Sequence, residues 1–226
     1  DAAIARWLKR VADADDTDYR EEKDRSGKEV TVNYTGTKSV FEDAPAGGER
    51  RDMQLSPAAG GKEFEVVGIP LAEKGFHVVE IASPELGAAL LGRKSTRYVA
   101  TAALVTNMAV HFKWGREGSL AWVTSLNSGL PVAGAEIRVT DACTGRLLAR
   151  GTADKAGRLA FAGGLPQPET YSSCRDDADP ASSEGHALMV SARSGDDFSF
   201  TLTDWGNGIR PYDFDLPYGW SERSDI

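Results

Sequence analysis

The sequence predicts an all-β chain: two tandem antiparallel β-sandwiches behind a short N-terminal helix. Three observations carry this. First, Ser119 to Phe161 reads as short apolar runs cut by turn residues. Leu120, Trp122 and Val123 form one run, Ile137 and Val139 alternate with Glu136, Arg138 and Thr140, and Thr144-Gly145 and Lys155-Ala156-Gly157 sit where tight turns reverse the chain. Second, Met108, Val110, Phe112 and Trp114 alternate with Asn107, His111 and Lys113, the period of a strand with one buried face. Third, a length of 226 residues has room for two domains of about 100 residues, the usual size of a small sandwich.

Taken in order, residues 1–16 read as a helix, because Ile4, Ala5, Leu8, Val11 and Ala12 recur at three- and four-residue spacing with Arg6, Lys9 and Arg10 elsewhere on the wheel. The charged stretch DDTDYREEKDRSGKE has no apolar pattern and is expected to be an exposed loop; its carboxylates lack the EF-hand order of ligands and glycine. Val30, Val32 and Tyr34 then alternate with polar residues as a strand. The sequon Asn33-Tyr34-Thr35 inside it matters only in a eukaryotic secretory pathway. Short strands are expected at Met53–Leu55, Phe64–Ile69 and Phe76–Ile81, the last broken by Ser83-Pro84. The polar, Gly-containing segment from Gly92 to Thr96 is the expected domain boundary. Tyr98 to Val105, apolar and rich in small residues, suits a strand covered on both faces. Beyond the Ser119–Phe161 stretch, the loop from Gly163 to Gly185 is long. Leu188–Ala192 and Phe198–Leu202 form a final hairpin across RSGDD, and WGNGIRPYDFDLPYGW reads as extended linker. The expected organisation is a helix at 1–16, sandwiches at 17–95 and 96–204, and a linker at 205–226.

The net charge is -8 with both signs mixed along the chain, so no basic face is concentrated enough for nucleic acid. No apolar run approaches the roughly 18–20 residues of a membrane span, and the N-terminus lacks the apolar core of a signal peptide. Asp1 follows no initiator Met, which points to a piece cut from a longer polypeptide. Two readings stand for Cys143 and Cys174: unrelated buried thiols, or a disulfide. Cys143 precedes a Thr-Gly turn and Cys174 lies in the polar segment SSCRDDADPASSEG, and two surface thiols favour the disulfide in an oxidising compartment. Closing a loop of about 30 residues would contribute roughly 3–4 kcal/mol on the chain-entropy model.

Catalytic patterns are not legible. His77, His111 and His186 are scattered, no serine sits in a GxSxG elbow, and there is no HExxH, Walker loop or post-strand GxGxxG. Two cysteines without CxxC or nearby histidines make a poor zinc cage. Asp196-Asp197 is the one carboxylate pair in a turn. It could bind calcium or act as an acid/base pair, but turn aspartates more often bond their own backbone. No catalytic, metal or cofactor residue is assigned, and no enzyme is expected.

The segments FEVVGIPLAEKGFHVVEIASPELGAALLG, YVATAALVTNMAVHFKWG, WVTSLNSGLPVAGAEIRV and SARSGDDFSF with its DWGNGI tail occur in this order from about Phe64 to the C-terminus. Over that length the chain resembles bacterial alpha-2-macroglobulins; the N-terminal helix and charged stretch carry no such likeness. The resemblance implies macroglobulin-type sandwiches, a fold akin to fibronectin type III, within a large periplasmic inhibitor that traps proteases. In that family a protease cuts an exposed bait region, a conformational change follows, and in many members a Cys–Gln thioester links the protease covalently. The thioester motif pairs a Cys with a nearby Glu-Gln, whereas Cys143 precedes Thr144-Gly145-Arg146 and Cys174 precedes Arg175-Asp176-Asp177. On this likeness the chain is scaffold, neither bait nor thioester. Its partners are neighbouring domains of the same chain and, for the full-length protein, target proteases. A lipid anchor to the inner membrane would lie outside it. The rival expectation is an Ig-like cell-envelope adhesion module, with Trp205, Tyr212, Phe214, Tyr218 and Trp220 as its surface.

Overall fold

The computed structural model describes residues 1–44, 48–55, 66–166, 171–172, 185–203 and 205. The chain is mostly β in antiparallel sheets, with a short N-terminal helix, as the alternating patterns require. It divides into two compact units: residues 2–107 with 195–199, and residue 1 with 108–194 and 200–226.

The first unit begins with α1 (Ala2–Ala14), which buries Ala5 and sets Trp7 against Phe41 with ring centroids 5.6 Å apart. From its polar side, Arg10 donates Nε to the Val40 carbonyl at 2.5 Å and Nη2 to the Glu42 carbonyl. The charged stretch that follows is not a loop. Tyr19–Lys23 forms β1, paired antiparallel with β2 (Glu29–Asn33). Every residue of β1 is exposed, so no apolar alternation could announce it. The turn makes the hairpin instead. Asp24 Oδ1 accepts from Ser26 N at 2.7 Å and Lys28 N at 3.0 Å, and Gly27 takes φ 83°, a left-handed conformation costly for other residues. Tyr34 then ties the ribbon sideways, donating to Glu22 at 2.5 Å with the Arg20 guanidinium 4.7 Å from its ring.

The connection to the next ribbon carries no strand at Met53–Leu55 or Val66–Ile69, contrary to the expectation from their apolar content; Phe64 and Glu65 lie outside the described residues. β-propensity alone does not make a strand without a ladder partner. β3 (Gly75–Ser83) pairs over its whole length with β4 (Arg97–Val105), and α2 (Pro84–Leu91) fills the connection between them. Sequence reading found the break at Ser83-Pro84 but missed the helix behind it. Ser83 Oγ caps it by accepting from Leu86 N at 3.0 Å, Pro84 opens it, and Gly92 closes it in the left-handed conformation. Because β4 belongs to β3, a boundary at 95/96 would cut a ribbon in two; the compact units divide at Asn107/Met108 instead. Nor is β4 covered on both faces, since Val99 and Thr101 are exposed.

The second unit, completed by residues 197–199 at the start of the last strand, is a two-layer sandwich. One sheet has the order β5 (Met108–Lys113), β6 (Ser119–Ser125), β9 (Arg158–Phe161); the other has β13 (Asp197–Leu202), β12 (Leu188–Ser194), β7 (Glu136–Asp141), β8 (Leu147–Thr152). Met108, Val110, Ala121, Val123 and Phe161 of the first sheet meet Ile137, Val139, Leu188 and Val190 of the second in one buried cluster. Two short strands, β10 (Tyr171–Ser172) and β11 (Gly185–His186), pair in parallel and pinch the base of the long loop expected after Gly163. Two of the turns repeat one device. Asp154 Oδ1 accepts from Ala156 N at 2.8 Å and Arg158 N at 2.9 Å with Gly157 at φ 72°, and Asp141 Oδ1 accepts from Thr144 N at 2.8 Å with Gly145 at φ 71°. The predicted tail lies outside the described residues apart from Trp205, whose ring sits 5.2 Å from that of Phe200.

Candidate functional site

The residues with the strongest claim to chemistry are used in holding backbone. Cys143 sits half-buried in the turn after β7, its N–H donated to Asp141 Oδ1 at 3.0 Å. Among the described residues no cysteine is free. Cys174, the expected partner, lies outside the described residues, in the segment whose base β10 and β11 close.

The histidines stand in separate settings. His77 on β3 places Nε2 2.8 Å from the Glu73 carbonyl oxygen. His111 on β5 lies directly opposite Trp122 of β6, rings 5.3 Å apart, with Nε2 3.2 Å from Thr124 Oγ1. His186 belongs to β11, opposite Ser172. No three His, Cys, Asp or Glu residues among those described could hold a metal ion together.

The Asp196-Asp197 pair is separated in role. Asp196 is exposed and takes Lys74 Nζ at 2.9 Å, and that bond, with the Lys74 charge, holds its carboxyl below the ordinary aspartate value. Asp197 is buried and saturated by donors: Thr106 Oγ1 at 2.6 Å, Asn107 N at 3.0 Å and Phe198 N at 2.9 Å. Its oxygens fix the turn between β4 and β5, the ordinary job of a turn carboxylate rather than that of an acid/base pair. Glu80 plays a similar part that sequence reading missed. It projects from β3 to accept from Ser39 Oγ at 2.7 Å and Val40 N at 2.6 Å. A lone Glu in an apolar run was the available signal, since a half-buried carboxylate needs donors.

What this arrangement offers is rigid geometry with some open apolar surface. On the outer face of β6, Leu120 and Trp122 are partly exposed, and Leu126 and Leu130 project from the turn beyond it. The Trp122 indole N–H is already donated to the Ala156 carbonyl at 3.1 Å, so only its ring face is available for contact.

The model of the bacterial alpha-2-macroglobulin MG3 domain matches residues 105–221, just over half of the chain. No curated protein matches. Among solved structures, the chain is similar to the crystal structure of native alpha-2-macroglobulin from Escherichia coli spanning domains NIE-MG1, at 15% identity and TM-score 0.34, covering 46% of this chain and 40% of that one. It is similar also to the structure spanning domains MG0-NIE-MG1, at 16% identity and TM-score 0.33, covering 46% of this chain and 27% of that one. The chain thus spans less than half the length of either structure. On the match over 105–221, which begins at the end of β4 and takes in the sandwich of the second unit, this chain belongs to the bacterial alpha-2-macroglobulin family.

Proposed function

We propose that this chain is a scaffold segment of a periplasmic, broad-spectrum protease inhibitor that traps proteases after cleavage of a bait region located elsewhere in the protein. The observation that carries the reading is the family match across the sandwich. The fate of the reactive side chains supports it: Asp197, Glu80 and Asp141 are spent on backbone donors. In this role the chain performs no chemistry and needs no cofactor. It sets the spacing and orientation of neighbouring domains and carries their rearrangement when the bait is cut. The Cys143–Cys174 disulfide belongs to the same proposal, as a staple for the 163–185 loop in an oxidising periplasm. An inner-membrane lipid anchor, where the protein has one, is supplied from outside this chain.

The test compares the chain with the full-length protein against a panel of proteases. Full-length protein should block hydrolysis of large protein substrates while the chain alone leaves it untouched. Inhibition or hydrolysis by the chain alone contradicts the proposal. The partly exposed Trp122 and its leucine neighbours favour a second reading, a cell-envelope binding module. Capture of a specific envelope partner by the chain, abolished in Trp122→Ala, would support that reading instead.

A further inference from the structure

Two features of the first unit remain unused. No described strand pairs with the outer edge of β3, and one face of the β3–β4 ribbon is open: Ile81 and Val99, directly opposite each other, are each 45% exposed. The other face carries Glu80 and is covered where Ser39 and Val40 dock on that carboxylate. Just upstream, Val66–Ile69 runs without a strand, with Val66 88% exposed and Val67 and Ile69 exposed beside it. Three β-branched side chains so placed fit a pleated, half-buried surface better than water.

The spacing between these features is that of a hairpin. Pro70–Lys74 is a five-residue connection, a common hairpin length. Its C-terminal end is already fixed, by the Glu73 carbonyl at His77 Nε2 and by Lys74 Nζ on Asp196.

We propose that Val66–Ile69 is a latent edge strand that closes onto β3 as an antiparallel hairpin. The loop length sets the register: Ile69 opposite Gly75, Val67 opposite His77, Val66 opposite Val78. Period two then puts Val67 and Ile69 on the face that Ile81 and Val99 occupy further along the ribbon, beside His77 and Val79, and Val66 on the Glu80 face. Ordering four residues costs conformational entropy of the same order as burying three apolar side chains returns. The open and closed forms lie near balance, and contact with a neighbouring domain at this face shifts the population.

Hydrogen exchange on the unmodified chain tests this without any substitution. With the two forms near balance only the open fraction exchanges, so hydrogen-bonded amides within Val67–Ile69 should be slowed about twofold from unstructured-peptide rates. Val67→Cys with His77→Cys, whose Cβ atoms would lie about 5 Å apart in this register, should oxidise at least about tenfold faster than Val66→Cys with His77→Cys, which sit on opposite faces. Peptide mapping separates these bonds from any involving Cys143 and Cys174. Unstructured-peptide exchange at Val67–Ile69 overturns the proposal, and so does faster oxidation of the opposite-face pair.

Discussion

Replacing Ile137 with alanine probes the sandwich where its packing is least able to recover. Ile137 on β7 is fully buried and lies between Ala192 of β12 and Gly151 of β8 in register. Gly151 offers no side chain of its own, and the Leu159 methyls lie over it, 2.8 Å from where a Cβ would stand. The in-register neighbours on both flanks are too small to reach into the space left by truncation. Buried Ile-to-Ala changes cost about 2–5 kcal/mol, rising with the residual cavity, so the expected cost is in the upper half, about 3–5 kcal/mol. At about 4–8 °C of Tm per kcal/mol for a domain near this size, melting should fall by more than about 10 °C. Urea denaturation followed by the fluorescence of Trp114 and Trp122 reads this unit. The midpoint should drop with the slope unchanged, Ile137→Val should cost about 0.5–1.5 kcal/mol, and exposed Leu126→Ala less than about 0.5 kcal/mol. A loss below about 1 kcal/mol for Ile137→Ala would refute the packing argument.

The other expectations test turns and the staple. Asp197→Ala strands buried donors around Thr106 and Asn107 and should cost about 2–4 kcal/mol at about 1–3 kcal/mol per unsatisfied group; Asp197→Asn, which keeps one acceptor oxygen, should cost less in the same denaturation assay. Gly157→Ala forces a side chain into φ 72° with its Cβ 2.5 Å from the Val123 carbonyl oxygen, and a melting scan should show a loss of at least about 1–2 kcal/mol. Hydrogen bonds hold the carboxyls of Asp24 and Asp154 below the ordinary aspartate value, for Asp24 chiefly the Ser26 hydroxyl and for Asp154 chiefly the Arg158 N–H. A lowered folded pKa contributes stability above the unfolded value that is lost as pH falls through the folded one. Carboxyl NMR titration should therefore find low midpoints, with both turns loosening only in acid; midpoints at the free-peptide value would contradict the turn geometry. Intact mass under denaturing conditions should sit below the reduced mass by two hydrogens if Cys143 and Cys174 are paired, and reduction should cost roughly 3–4 kcal/mol; two freely alkylated thiols would remove the staple.

The sandwich was legible because its signals are local and redundant. Period-two alternation coincides with one-sided burial at Met108–Lys113 and over the first four residues of β7, and Thr144-Gly145 and Lys155-Ala156-Gly157 fall at real turns. The first unit was harder for identifiable reasons. β1 is exposed along its length, so its sequence, YREEK, looks like solvated loop; the readable signal was the Asp24-to-Gly27 turn, the same device as Asp154-to-Gly157. α2 is short, and its PELGAALL sequence has no polar stripe, but Ser83-Pro84 before it and Gly92 after it were cap signals. Val66–Ile69 erred the other way, with strand composition and no partner strand. The chemical roles of Asp197 and Glu80 depend on Thr106, Asn107, Ser39 and Val40, distant contacts that spacing along the chain does not encode.

The central claim, a scaffold within a protease trap, is tested most directly by size-selective inhibition in the full-length protein. After exposure to a protease, wild-type protein should suppress cleavage of a large protein substrate while a small peptide substrate is still hydrolysed. Ile137→Ala, which weakens this sandwich without touching bait or thioester, should lose that protection although the bait is still cut. Full protection by that variant at a temperature where its sandwich is unfolded would contradict the account.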